Sequence, residues 1–412
     1  MNKHCLFFFS VAFAAFTSCN SKNSDNTTPA DTATNGSLPP VETKDANSTY
    51  KPAFAGQTRI AGVKTTTPYE SKVVTDALKN PWGMVQLPDG RLLITQKTGT
   101  MKIVTPTSAV SDDITGFPAV NSSGQGGLLD VALDPQFSSN RMIYWTFSEA
   151  SSEGNLTAVA KGKLSGDEKR VENASVIYRA TPAYNSVLHY GGRILFDKTG
   201  NIIFSTGERS DLATRPQAQW LNSSLGKTIR ITTDGQAASG NPFVGRTDAR
   251  PELYSYGHRN VQSLALNPET GDLWEGEFGP RGGDEINRIE PGKNYGWPTI
   301  TYGIEYSGEK VGDGIQQKAG LEQPVYYWDP VVSPSGMDFY KSDAIPEWKN
   351  NLFLGSLSAT HIVRLVIAND KVTGEERLLA DEGQRFRDIL CSSDGVLYAI
   401  TDGGRLYQVS KK

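Results

Sequence analysis

The 412-residue sequence holds only three cysteines. Two of them, Cys5 and Cys19, lie in an N-terminal stretch that reads as a targeting segment, which leaves Cys391 alone. A disulfide within the folded domain is then excluded, and the domain must be held by packing. Charge of one sign is missing too. The net charge is −4, with acids and bases interspersed and no basic block. Nucleic acid is therefore not an expected partner, and so small a charge does not steer a ligand by itself. Long amphipathic helical segments between strands are also absent, which argues against a parallel α/β fold.

The N-terminus has a short basic start at Lys3 and an apolar run from Leu6 to Phe16. That run is too short to span a bilayer as a stable helix and reads as a signal segment. It ends in Thr17-Ser18-Cys19, small residues and then cysteine, similar to a bacterial lipoprotein cleavage site. Residues 1–18 are expected to be removed and Cys19 to carry lipid; an ordinary signal peptide cut elsewhere is the alternative. From Asn20 to about Tyr50 the chain is Ser, Thr, Asn, Asp and Pro with almost nothing apolar. Such a segment buries too little surface to fold, so 19–55 is expected to be a disordered tether and 56–412 the folded domain.

What the sequence has in quantity is turn chemistry: 41 glycines and 22 prolines spread along its length. A short apolar strand, a turn rich in Asp, Pro, Asn or Gly, and a second apolar strand recur six times. The copies are "GMVQLPDGRLLITQ" from Gly83, "LLDVALDPQFSSNRMIYWTF" from Leu128, "GRILFDKTGNIIFSTG" from Gly192, "VQSLALNPETGDLWEGEFG" from Val261, "SGMDFYKSDAIPEWKNNLFLGS" from Ser335 and "RDILCSSDGVLYAITDG" from Arg387. Each reads as a β-hairpin, with further strand-like pieces after it. Six such units predict an all-β, six-bladed β-propeller. Spacing is widest between the third and fifth copies, where extra loops are expected.

In a propeller the loops leading into the innermost strands meet at one end of the central channel. Those positions carry Gln125, His189, His258-Arg259-Asn260, and Arg385 with Arg387. The returning second strands end in "STGERSD" with Glu208 and in "EGEFGPRGGDE" with Glu277 to Glu285, which should lie at the same end. A base candidate, several cations and two amides form a site-like set. Blander readings exist: His189 and His258 as packed histidines, Glu208 as a turn residue. Arg385 and Arg387 point to one face of a strand. Inside a channel they would repel unless an anion sat between them, which suggests a multivalent anionic ligand. "GPRGG" is not a phosphate loop, because no Lys-Ser/Thr follows. Its glycines let backbone carbonyls turn toward a cation.

Seven motifs in this order, "GQGGLLDVALDP", "LHYGGRILF", "YGHRNVQSLA", "EFGPRGGDEIN", "KNYGWP", "SPSGM" and "RFRDI", resemble the soluble quinoprotein aldose dehydrogenases of the glucose/sorbosone dehydrogenase family. The resemblance covers roughly Pro81 to the C-terminus. It implies a six-bladed propeller that uses pyrroloquinoline quinone (PQQ) and Ca²⁺. It also implies that His189 is the general base and that Glu208, where the family usually has aspartate, orients it. Gln125, Arg259, Asn260, Arg385, Arg387 and, less securely, Trp328 fall on cofactor-contacting positions. Gly279 and Pro280 fall on carbonyl ligands of the catalytic Ca²⁺, and Glu285 with the Tyr295 carbonyl on a second Ca²⁺ site. Two departures stand out. Ser358 replaces the lysine the family often pairs with a PQQ carboxylate, and Leu188 replaces an aspartate found in glucose-preferring members. The implied reaction is oxidation of the C1 hydroxyl of an aldose to the lactone, with electrons leaving to a respiratory acceptor. An exported, lipid-anchored protein facing the periplasm or cell surface suits that chemistry. The alternatives are a Ca²⁺-dependent lactonase and a non-catalytic carbohydrate- or protein-binding propeller.

Overall fold

A computed structural model describes residues 38–412. The six recurring hairpins are the two inner strands of six antiparallel sheets. The innermost strands are Pro81–Gln86, Leu128–Leu133, Ile194–Phe196, Val261–Leu266, Pro334–Phe339 and Phe386–Cys391. Each pairs with the strand that follows it and touches its counterparts in the two neighbouring sheets, so the six close into a ring around a central axis. Numbered by these strands, blade 1 has three strands, extended by isolated bridges at Met101–Ile114 and Val104–Val110, and the other five have four. The architecture is the six-bladed propeller expected from the repeat.

Most of the apolar core lies between blades. One cluster joins Leu93 and Met101 of blade 1 to Trp145 and Phe147 of blade 2. Another joins Trp274 and Trp328 of blade 4 to Phe339 and Leu354 of blade 5. Alternating residues on each strand face one neighbour or the other, which is why the strands read as nearly continuous apolar runs. Carboxylates stitch the inner ring as well. Asp130 accepts from Ile194 N at 3.1 Å, Asp338 from Cys391 N at 3.0 Å and Asp388 from Met84 N at 2.8 Å. Each bond crosses from one blade to the next.

The ring closes on blade 6, where Tyr69–Thr75 pairs with Leu406–Lys411 from Tyr69↔Lys411 to Thr75↔Leu406. Ahead of that strand the chain is not a loose tether. Residues 38–67 lie along blades 4 and 5. Asn47 N and Ser48 N donate to the two oxygens of Asp329 at 2.8 and 3.0 Å, and Glu42 pairs with Arg377 at 2.8 Å. Thr65 N and Oγ1 donate to Glu376 at 2.8 and 2.6 Å. The expectation of disorder as far as residue 55 is therefore corrected for 38–55. That segment carries few large apolar residues, but the Asn47 and Ser48 backbone and side chains are satisfied by a carboxylate the blades supply. The signal segment, Cys19 and the rest of the expected tether lie outside the described residues.

Arg193, at the start of the blade 3 inner strand, fills the axis. Its Nη1 lies 2.9 Å from Asp388 and 3.5 Å from Asp130, and its Nε and Nη2 donate to the carbonyls of Gln262 and Arg387 at 2.7 and 2.9 Å. The guanidinium lies 4.2 Å from the Trp82 ring centroid. Gly83 and Gly336 make room for this plug, since a Cβ at either would collide with Asp130 or Asp388. The plug separates two openings of the channel, of about 480 and 360 Å³.

Candidate active site

The larger cavity collects the residues singled out at the heads of the inner strands: Gln125, His189, Arg259, Arg385 and Arg387 all line it. His189 sits in the left-handed region at φ 47°, which is unusual for a residue with a side chain. The surroundings enforce that strain. Its backbone N–H donates to Gln125 Oε1 at 2.8 Å. Arg209, 1 % exposed, clamps the same loop by donating to the carbonyls of Ser186 and Leu188 at 2.6 and 3.1 Å.

His189 Nδ1 lies 2.5 Å from Glu208 Oε1, with both side chains buried. A carboxylate there accepts, so Nδ1 carries the proton and Nε2 keeps its lone pair. Burial, and next the Arg259 charge, push the His189 pKa down to about 4 against the opposing pull of Glu208. The imidazole is neutral at pH 7, which suits a base. Glu208 Oε2 has no hydrogen-bond partner among the described residues.

Arg259 is fixed through its backbone N–H, which donates to Glu277 at 2.5 Å, and through Nη1, which donates to the carbonyls of Phe278 and Gly279 at 3.1 and 2.7 Å. Its Nε has no partner among the described residues, and neither does Asn260 Nδ2. Asn260 is fully buried and accepts from Gly191 N at 3.0 Å, so it sits behind the cavity wall. The orphaned donor of Arg259, which lines the cavity, fits a ligand that brings acceptor oxygens.

The arginines near the head of blade 6 did not need a ligand to hold them apart. Asp402 sits between them, 2.9 Å from Arg385 Nε and 2.7 Å from Arg387 Nε. Sequence reasoning missed it because "TDGG" reads as a turn. Lys97, in "TQKTG", also lines the cavity and was missed for the same reason. The cavity wall thus carries Lys97, Arg259, Arg385 and Arg387 against Asp402, a surplus of three positive charges. Trp82, Tyr190, Phe278 and Tyr306 supply its aromatic surface. Trp328 does not. It is 2 % exposed in the core between blades 4 and 5, with Nε1 donating to Glu375 at 3.3 Å, so the expectation that it contacts a cofactor is corrected. Ser333, the first residue of "SPSGM", reaches the cavity, and its hydroxyl donates to Ser358 at 2.8 Å.

Gly279 N donates to Asp284 at 2.8 Å, and a Cβ at 279 would collide with Gly282 and Gly283, so this tight loop requires glycine. Its carbonyl already faces a cation, the Arg259 guanidinium, which fits an acceptor aimed at positive charge. Burial lifts Asp284 to about 7. Behind the loop, Glu277, Glu285 and Tyr295 border a space of about 10 Å³, enough for one ion or water. Burial, then Glu277, push the Glu285 carboxyl well up. Glu275 and Glu277 lie 3.2 and 3.3 Å from His258 Nδ1. Burial opposes charge on that ring, but Glu275 and Glu277 outweigh it and lift its pKa to about 9. The carboxyls of Glu275, Glu277 and Glu285 crowd one another here, and oxygen donors of this kind suit a hard cation such as Ca²⁺. His258 itself is packed, stacked on Tyr295 at 4.9 Å.

Comparison with known proteins gives the family. The chain is 42% identical over 346 residues to the aldose sugar dehydrogenase YliI of Escherichia coli (strain K12), covering 83% of this chain and 92% of that protein. It is 26% identical over 413 residues to the quinoprotein glucose dehydrogenase B of Acinetobacter calcoaceticus, covering 81% and 85%. The apo-form structure of the soluble E. coli aldose sugar dehydrogenase superposes with a TM-score of 0.81 at 41% identity, over 84% of this chain and 100% of that one. The PQQ-bound aldose sugar dehydrogenase of Streptomyces coelicolor does so with a TM-score of 0.69 at 29% identity, over 84% and 99%. Residues 78–408 match the glucose/sorbosone dehydrogenase family, and the chain belongs to it.

Proposed function

We propose that this family member is a PQQ- and Ca²⁺-dependent oxidoreductase that converts the C1 hydroxyl of aldose sugars to the lactone. The observation that carries the reading is the pairing of a neutral, oriented imidazole with a cavity wall holding three surplus positive charges. A tricarboxylate matches that surplus in number. Arg385 and Arg387 would bind its carboxylates and Arg259 its quinone oxygens, while Asn260 behind the wall would support the site through Gly191 N. The carbonyls of Gly279 and Pro280 would hold the catalytic Ca²⁺, and Glu285 with the Tyr295 carbonyl a second ion.

When bound, PQQ with Ca²⁺ supplies a two-electron acceptor for the C1 hydride of the sugar. The protein's own part is the proton and the positioning. Glu208 keeps His189 in the Nδ1–H tautomer, so Nε2 takes the proton of the anomeric hydroxyl. Loss of that proton and of the hydride turns C1–OH into the lactone carbonyl. Glu208 then offsets the charge gained by the imidazole. Leu188 beside the base brings no carboxylate to select a particular hydroxyl pattern, which favours a broad aldose range. The four cations weigh against a lactonase, since a neutral lactone makes no use of them. Export, a lipid anchor on Cys19 and delivery of electrons to a respiratory acceptor complete the proposal.

The test is purified protein with PQQ, Ca²⁺, mixed aldoses and a dye acceptor. Dye reduction that disappears in His189→Ala, while that variant still binds PQQ, is the expected result. Absence of dye reduction together with absence of bound quinone absorbance would overturn the reading.

A further inference from the structure

Lys97 follows the second strand of blade 1, Leu92–Gln96, and lines the cavity beside the Gly124–Gln125 loop. Its position is built. Its N–H donates to Asn80 O at 3.1 Å, and its carbonyl accepts from Leu128 N at 3.0 Å. Gly127 lets the blade 2 loop close over its stem, because a Cβ there would collide with Lys97 Cγ. The ammonium donates to the Gly124 carbonyl. An ammonium has three donors, so that bond leaves capacity for a ligand.

The charge around it is unbalanced. Burial first, and the Arg387 charge next, push the Lys97 pKa down, with Asp402 opposing. Lys97, Arg385 and Arg387 therefore crowd a single carboxylate. Arg385 Nη1 is taken by Leu357 O at 3.0 Å, and Asp402 takes both Nε atoms and Arg387 Nη2. Arg385 Nη2 and Arg387 Nη1 have no hydrogen-bond partner among the described residues. Three cations around one anion, with donors to spare, form an anion-binding wall that runs from blade 6 into blade 1.

On the blade 5 side the wall is neutral. Ser358 takes a hydrogen bond from Ser333 and donates to Val331 O at 3.4 Å. No cation stands at that position. We infer that Lys97 is the third cation of the polycarboxylate site, so that the blade 1 side of the cavity supplies the charge Ser358 lacks. The inference rests on the reading of a flat tricarboxylate ligand, and it assigns Lys97 a direct contact with a ligand carboxylate.

Two probes test it, PQQ with Ca²⁺ and trimesate, which carries three carboxylates on a flat ring and no quinone. Binding is read by quenching of tryptophan fluorescence, since Trp82 lines the cavity, and by equilibrium dialysis. Lys97→Met should weaken PQQ binding by about ten- to a hundredfold, the range of a charge-assisted contact. Lys97→Arg should restore it to within a few-fold, and Lys97→Met should flatten the salt dependence of binding. Ser358→Ala should leave affinity unchanged. PQQ binding by Lys97→Met as tight as that of the unaltered protein overturns the inference and leaves the PQQ reading standing. Trimesate binding that depends on Lys97, without any PQQ binding, supports the anion site and removes the PQQ reading. Failure of the unaltered protein to bind either probe removes both.

Discussion

Replacing His189 by glutamine should change how stability responds to acid. The buried ring titrates at about 4, whereas in the unfolded chain its ordinary value is 6.5. Between those values the unfolded chain binds the proton and the folded one does not, so stability falls as pH falls. The histidine alone should remove about 2 kcal/mol between pH 7 and pH 5, and about 3 kcal/mol by pH 4. Glutamine does not titrate, can still donate to Glu208, and leaves the other ionisable groups in place, so their contributions largely cancel in the comparison. Urea unfolding of both proteins at half-unit steps from pH 7 to pH 5 reads the difference directly. The unaltered protein should lose ground to His189→Gln by about 2 kcal/mol over that interval. A difference that stays flat would mean that the ring is not held neutral, and the argument for a pre-formed base would fail. The acid limb of kcat/KM should likewise lie below 6.5, the unshifted value.

Other parts of the structure make sharper demands on stability. Gly336→Ala would drive a methyl into Asp388 and the Arg193 guanidinium, and should cost about 3 kcal/mol or abolish folding, by urea midpoint. Asp329→Ala removes the acceptor of the Asn47 and Ser48 bonds. Limited proteolysis should then cut within 38–55 well before the blades are attacked, and an unchanged cleavage pattern would refute the latch. Trp328→Phe should lower stability by about 1 kcal/mol through loss of the bond to Glu375, with PQQ affinity unchanged in dialysis; a weakened affinity would return Trp328 to the cofactor site.

The hairpins could be read from sequence because their instructions are local. "LPDG", "FDKTG" and "SSDG" announce turns within a few residues of the strands they join. The heads of the inner strands were legible for a related reason: once the ring is inferred, equivalent positions must converge, which brought His189, Arg259 and Arg387 into one cavity. What escaped reading depends on partners far away in the chain. Asn47 and Ser48 look like tether residues until Asp329, 282 and 281 positions on, is placed against them. Arg193 in "YGGRILF" looks like the polar start of a strand, and only the closed ring brings Asp130 and Asp388 to its two sides. Asp402 and Lys97 lie in turn-rich segments whose composition explains them without reference to a ligand. Trp328 failed in the opposite direction, because an aromatic that follows two tyrosines serves a core and a binding site equally well, and composition does not choose.

Arg193 makes this ring resemble a wheel fastened at the hub as well as at the rim. At the rim, blade 6 is completed by a short exposed strand, Tyr69–Thr75, pairing with Leu406–Lys411. At the hub, one guanidinium from blade 3 holds groups from blades 2, 4 and 6 and stacks on a tryptophan of blade 1. The rim strand can therefore fray, exchanging its amides with solvent, while the spokes stay in place. Arg387, whose carbonyl is one of the groups held at the hub, keeps its position in the cavity through such events. The exposed seam is decoupled from the chemistry by a side chain that lies beneath the floor of the site.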